Sequence, residues 1–159
     1  MDDFSLPIVA LHQRFMAQAL LQAEQALHEG EVPVGAVVTY QNRIIAKGYN
    51  QVEKLNDPTA HAEIIAITAA CSFLENKYLK DCTLYVTLEP CPMCTGALVW
   101  SKIDRVVFGA SDPKAGSCGT IFNLSNNDAL NHNFEVIQGV LEADCEYLLK
   151  SFFKKKRPR

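Results

Sequence analysis

From Ile8 onward apolar residues return at helical spacing, at Ile8, Leu11, Phe15, Ala19, Ala23 and Leu27, until Gly30 ends the pattern. The spacing predicts an amphipathic helix with one face to cover something, begun by Ser5-Leu6-Pro7 with the proline in its first turn. Two β-rich runs follow, residues 32–40 and 43–50, joined by the polar pair Gln41-Asn42, and these read as a hairpin. Asp57-Pro58 opens a second helix, with Asp57 as N-cap and Pro58 in the first position. Thr83 to Leu88 reads as a strand, and Pro90-Cys91-Pro92 as its junction with a third helix, on which Met93, Ala97, Leu98 and Trp100 are assigned to the core. Arg105 to Ala110 is a further strand. Ser111 to Asn131 is rich in Gly, Ser, Asn and Asp, and irregular stretches of that length in compact domains are functional or mobile. A last β-like segment, Phe134 to Gln138, precedes a helix with Leu141, Cys145, Leu148, Leu149, Phe152 and Phe153 on one face. Its early acids Glu142, Asp144 and Glu146 and its late lysines match the helix dipole. The order α-β-β-α-β-α-β-loop-β-α predicts an α/β protein, a five-stranded mixed sheet covered by helices on both faces.

Composition narrows this to one domain. At 159 residues and 48% hydrophobic, the chain suits a single globular unit over 1–159 with a substantial core. No apolar run reaches the roughly 18 residues of a membrane span, and Met1-Asp2-Asp3 is acidic where a signal peptide would be basic, so a cytoplasmic protein is expected. A chain this apolar does not need disulfide staples, so its six cysteines are read as free thiols plus a metal pair. Charge is unevenly spread: residues 150–159 hold Lys150, Lys154, Lys155, Lys156, Arg157 and Arg159 and no acid. With 15 basic and 18 acidic residues in all, that leaves nine basic residues and every acid in 1–149. Such a basic tail is either a solvated handle or, beside a site that modifies nucleic acid, a phosphate contact. His12 and His28 are expected at the surface or its boundary, and His132 in a structural place.

The chemistry concentrates in two stretches, His61-Ala62-Glu63 and Thr87-Leu88-Glu89-Pro90-Cys91-Pro92-Met93-Cys94. His61, Cys91 and Cys94 offer one imidazole and two thiolates, the ligand types that suit zinc. Three protein ligands leave a tetrahedral ion one position for a water, whose pKa a zinc lowers towards neutrality. Glu63 is not needed as a ligand and is free to carry protons. Side chains two apart do not share a helix flank, so His61 and Glu63 can serve one ion only near the end of their helix. A closed structural site completed by Cys71, Cys82, Cys118 or Cys145 is the plainer alternative, and a dithiol redox pair is another; neither uses Glu63. The arrangement His-x-Glu followed by Pro-Cys-x-x-Cys is the signature of zinc-dependent nucleobase deaminases.

Four stretches carry a wider resemblance: Glu31 to Val37, Asp57 to Glu63, Leu84 to Cys94 with Gly96-Ala97, and Phe152-Phe153 before Lys154-Lys155-Lys156-Arg157. Over nearly its whole length the chain resembles the cytidine deaminase superfamily and, within it, the bacterial tRNA-specific adenosine deaminases. The first three stretches are shared with free-base and mononucleotide deaminases; the double Phe and basic tail point to tRNA. The resemblance implies a cytidine-deaminase-like three-layer α/β/α fold with one zinc per chain. It implies a homodimer that converts the wobble adenosine of a tRNA anticodon loop to inosine, by hydrolysis at C6 of a flipped-out adenine with Glu63 moving the protons. It further implies that Asn50 hydrogen-bonds the base, that Val34 and Ala62 form the pocket wall and backbone, and that Asp112 stands near the target ribose. A carboxylate there could accept from the 2′-OH; the plainer role for Asp112 is a turn cap before Pro113. Deamination of free guanine, and a non-catalytic zinc-stabilised RNA-binding module, remain the other readings.

Overall fold

The computed structural model describes residues 7–156. Helix α1 (Ile8–His28) leads into the hairpin β1 (Gly35–Tyr40) and β2 (Arg43–Tyr49); then come α2 (Val52–Leu55), α3 (Ala62–Leu74), β3 (Cys82–Leu88), α4 (Pro92–Ser101), β4 (Arg105–Ala110), β5 (Glu135–Ile137) and α5 (Glu142–Lys156). The five strands form one sheet in the order β2-β1-β3-β4-β5. Pairing is antiparallel for β2 with β1 and β1 with β3, and parallel for β3 with β4 and β4 with β5. This is the mixed sheet the sequence predicts. The hairpin turns on Gln41 and Asn42, both with left-handed φ (52° and 58°), the backbone that two-residue hairpin loops require.

Alternation along the strands divides the core into two layers. Ala36, Val38, Leu84, Val86, Val106 and Phe108 point to one face, where Ala62, Ala66 and Ala70 of α3 and Leu98 of α4 cover them. Val37, Tyr85 and Val107 point to the other, against Phe15, Met16 and Ala19 of α1 and Cys145 of α5. Each fully buried Val, Leu or Phe contributes roughly 1.5–3 kcal/mol. The small residues of α3 let it lie close to β2, and Gly48 makes that approach possible: a Cβ there would stand 2.5 Å from the Ala62 carbonyl oxygen and 2.8 Å from the Ala66 nitrogen. The first turn of α3 is thereby pressed onto the sheet.

Several expectations need correction. Ser5 and Leu6 lie outside the described residues, and Pro7 is the N-cap of α1 and not a residue of its first turn. The buried stripe of α1 is His12, Phe15, Met16, Ala19, Ala23 and Ala26, while Ile8 is exposed. His12 is buried and not at the surface because its Nδ1 meets the Tyr85 hydroxyl at 2.7 Å, which satisfies both polar groups. His28 is exposed, and His132 is held by Nε2 on the Ile103 carbonyl at 2.6 Å. The second major helix starts at Ala62 and not at Pro58, because Asp57 Oδ1 accepts from the Thr59 amide and hydroxyl (2.8 and 2.7 Å) and closes a turn instead of capping a helix. The four-residue α2 before it was not foreseen. On α4 the buried side is Cys94, Thr95, Leu98 and Ser101; Met93 and Trp100, seven residues apart and on the opposite side, are exposed, Trp100 by 79%. On α5 Phe152 is buried and its neighbour Phe153 is 47% exposed, since adjacent helical residues cannot share one face. All six cysteines are free. Among the described residues no helix is long and apolar enough to cross a membrane.

Candidate active site

Two helix starts meet on one face of the sheet. His61 is the N-cap residue of α3 and Cys91 that of α4, with Cys94 one turn inside. Neither helix has a side-chain cap at its start, so the positive ends of both dipoles face these side chains and favour thiolate over thiol. His61 Nδ1 lies 3.6 Å from Cys91 Sγ and 3.5 Å from Cys94 Sγ. Ligand distances of about 2.05 Å to nitrogen and about 2.3 Å to sulfur at a tetrahedral angle place N and S roughly 3.6 Å apart, so the three side chains fit zinc without rearrangement. Among the described residues they form the only such cluster, and no fourth His, Cys, Asp or Glu joins it. Cys118, one of the residues that could have closed the site, meets Thr95 Oγ1 at 3.6 Å instead. A zinc held by these three side chains would keep one position for a water, as catalytic zinc sites do.

The electrostatics follow from burial and proximity. Sharing a proton with Cys94 pulls the Cys91 thiol well down, and His61 adds to this; the same sharing, with burial, pushes Cys94 up. The hydrogen bond to Cys91 raises His61. Glu63, buried in the first turn of α3, is pushed by desolvation up to about 7, opposed by its backbone hydrogen bond and by His61.

The cluster opens into a cleft of about 330 Å³, at the lower end of the range for small-molecule sites. His61, Glu63 and Cys91 line its floor together with Val34, Asn50, Ala62 and Asp112, so the residues singled out in sequence share one cavity, with Cys94 buried at the cluster. Asn50 donates from Nδ2 to the Val32 carbonyl at 3.4 Å. Its buried Oδ1 has no partner among the described residues. Asp112 Oδ1 accepts from the amides of Lys114 and Ala115 at 2.9 and 3.3 Å, so it caps its own loop and lines the cleft as well. Sequence reasoning gave no role to Glu31 or Glu89, which also line the cleft and are each only 1% exposed. Their one signal was position, Glu31 just before an apolar run and Glu89 just after one. Phe152 and Lys156 bring the end of α5 to the same cleft.

Fold, ligand set and buried acid together define a zinc-dependent deaminase, and comparison agrees: the model of the cytidine and deoxycytidylate deaminase zinc-binding region matches residues 9–110. The chain is 50% identical over 143 residues to the tRNA-specific adenosine deaminase of Aquifex aeolicus (strain VF5), covering 90% of this chain and 94% of that protein. It is 46% identical over 145 residues to the enzyme of the same description from Bacillus subtilis (strain 168), covering 91% and 90%. A solved structure from work on A-to-I editing by tRNA:A34 deaminases at the wobble position of transfer RNA superposes with a TM-score of 0.83 at 40% identity, covering 86% of this chain and 99% of that one. The chain belongs to the tRNA-specific adenosine deaminase family.

Proposed function

We propose that this protein hydrolyses the wobble adenosine of a tRNA anticodon loop to inosine. The observation that carries the reading is the single cleft in which a three-ligand zinc cluster and a buried acid are joined to Asn50, Val34, Ala62 and Asp112, with the basic end of α5 at its rim. A bound zinc, held by His61, Cys91 and Cys94, would supply a water acidified towards neutrality. Glu63 would take one proton from the attacking water and pass it to an adenine ring nitrogen, then carry the proton of the hydroxyl formed at C6 to the amino group, so that ammonia leaves and the carbonyl of inosine forms. Asn50 offers the base a buried amide oxygen that has no partner among the described residues, while Val34 and the Ala62 backbone confine the ring. Burial of these groups excludes bulk water from the reacting carbon. Asp112 faces the sugar of the flipped nucleotide, and Lys154, Lys155 and Lys156 at the end of α5 meet phosphates, with residues 150–159 acting as a basic tail on a single deaminase domain. The reading includes a cytoplasmic homodimer.

Incubation with an anticodon stem-loop carrying the wobble adenosine, and separately with free guanine and free cytidine, followed by mass spectrometry of the products, tests this. The expected result is loss of the amino group from the stem-loop alone. Turnover of free guanine with none on the stem-loop would transfer the site to a small-base deaminase, and no turnover of any substrate by zinc-loaded protein would leave an RNA-binding module.

A further inference from the structure

Glu89 is the most heavily engaged side chain of the cleft, yet it is neither a metal ligand nor the proton carrier. Its Oε1 accepts from the Asp112 amide at 3.1 Å and from the Thr120 hydroxyl at 2.5 Å; its Oε2 accepts from the Cys118 and Thr120 amides, each at 3.1 Å. Four donors saturate the acceptor sites of one carboxylate. Nothing is left over for a substrate proton. All four donors belong to residues 112–120, the first part of the long irregular stretch after β4, whereas Glu89 itself directly follows the end of β3 at Leu88, two residues before Cys91. The loop is wrapped closely around the carboxylate: a Cβ on Gly116 would stand 2.5 Å from Glu89 Cδ and 2.6 Å from the Asp112 carbonyl oxygen. The main chain reinforces the seam, with Glu89 N donating to the Ala110 carbonyl at 2.8 Å and Ser117 N to the Pro90 carbonyl at 2.9 Å.

We propose that Glu89 is a positioning residue: it fastens the loop that carries Asp112 to the strand end that carries Cys91, and so sets the cleft wall against which the substrate nucleotide is held. A loop of this composition would otherwise sample many conformations, and a substrate binding to it would have to order it first. Binding strength, and not the chemical step, is therefore what the carboxylate governs. Glu31 shows the same device on the opposite rim, where its two oxygens accept from the Glu53 and Lys54 amides at 3.0 and 2.8 Å and fix the first turn of α2.

The inference rests on the proposed reaction, but its two readouts separate the two ideas. In Glu89→Gln the amide hydrogens of the side chain face backbone N–H groups, so zinc content should stay at one per chain while amide exchange in 112–120 quickens by about tenfold or more, the equivalent of one lost charge-assisted hydrogen bond. KM for the anticodon stem-loop should rise by a similar factor, with kcat changed by less than about threefold. Thr120→Val, which removes one donor and no charge, should move both in the same direction by less, and it decides the matter if Glu89→Gln does not fold. Glu31→Gln serves as the control and should leave exchange in 112–120 unchanged. Unaltered exchange in this loop, or a fall in kcat or zinc content at constant KM, would overturn the proposal and make Glu89 a support of Cys91. An inactive wild type would sink the reaction instead, while the exchange measurements would still read the loop.

Discussion

Changing Gly48 to Ala adds one methyl group to β2, on the face that meets the first turn of α3. The new carbon would stand 2.5 Å from the Ala62 carbonyl oxygen, 2.8 Å from the Ala66 nitrogen and 3.3 Å from the Ala66 Cα. Ordinary van der Waals approach begins near 3.4 Å, so α3 must retreat by nearly 1 Å or β2 must bend away. The opposing atoms are backbone and cannot rotate aside. Overpacking of this kind costs about 1–3 kcal/mol, which for a chain of this size corresponds to a fall in Tm of roughly 2–12 °C. The larger consequence is at the site: His61 and Glu63 stand at the start of the displaced helix, whereas Cys91 and Cys94 belong to α4 and do not move with it. A misplacement of about 1 Å costs on the order of 10²-fold in rate, and the loss should appear in kcat. The assay is single-turnover deamination of the stem-loop with zinc content and Tm measured on the same samples. Gly35→Ala is the comparison, since its Cβ would overlap Ala19 and Ala23 of α1 on the other face of the sheet. That variant should lose stability at least as severely, with a smaller loss of rate per folded molecule. Equal rate losses in the two variants, or a Gly48→Ala enzyme that is destabilised but fully active, would refute the claim that the close approach of α3 to β2 aligns the site.

Glu63→Gln should retain zinc and Tm but lose about 10²–10⁴-fold in turnover, since the amide keeps the shape and cannot carry the proton; near-normal rates measured on zinc-loaded protein would assign the proton to another group. Removal of residues 154–159 should lower the slope of log affinity against log salt by roughly 0.7–0.9 for each phosphate that the tail no longer neutralises, measured by stem-loop binding across a salt series; an unchanged slope in a folded truncation would make the tail a solubility handle. His12 is held below its ordinary value of 6.5, chiefly by burial and then by Arg105, against the opposing pull of Glu135. The unfolded chain therefore takes up more protons than the folded one as pH falls through about 6.5, and wild-type stability declines there. In His12→Gln that component is absent, so the Tm advantage of the wild type should shrink between neutral pH and about pH 5; a constant difference would show that His12 does not titrate on unfolding.

The elements that carry the chemistry were legible because their signals are local. Gln41-Asn42 between two β-branched runs specifies a tight hairpin, and Pro92 after Cys91 specifies a helix start, so the register of the thiols on α4 follows from their spacing alone. His61 and Glu63 were placed near a helix end by the argument that side chains two apart can converge only there, and the N-cap position of His61 meets that requirement. The start of α3 was misplaced by four residues because Asp57 offers the same side-chain oxygen to a helix or to an isolated turn, and the choice depends on Thr59, whose amide and hydroxyl both reach it. Burial on α1 was misjudged by a similar ambiguity. A histidine on a helix face reads as polar until a partner is known, and the Tyr85 hydroxyl comes from a strand 73 positions away.

What sequence patterning could not reveal is how the walls of the cleft are held, and the reason is physical. Helices and strands satisfy their own backbone groups, so their signals are periodic and readable. An irregular segment must find partners elsewhere, and here the partners are single acids distant in sequence: Glu89 for four donors in 112–120, and Glu31 for the amides of Glu53 and Lys54 in α2. Such an acid looks in sequence like any surface glutamate at the end of a strand. Its role becomes visible only when the loop it gathers is seen around it, and here one such loop carries Asp112 to the cleft lined by His61, Glu63 and Cys91.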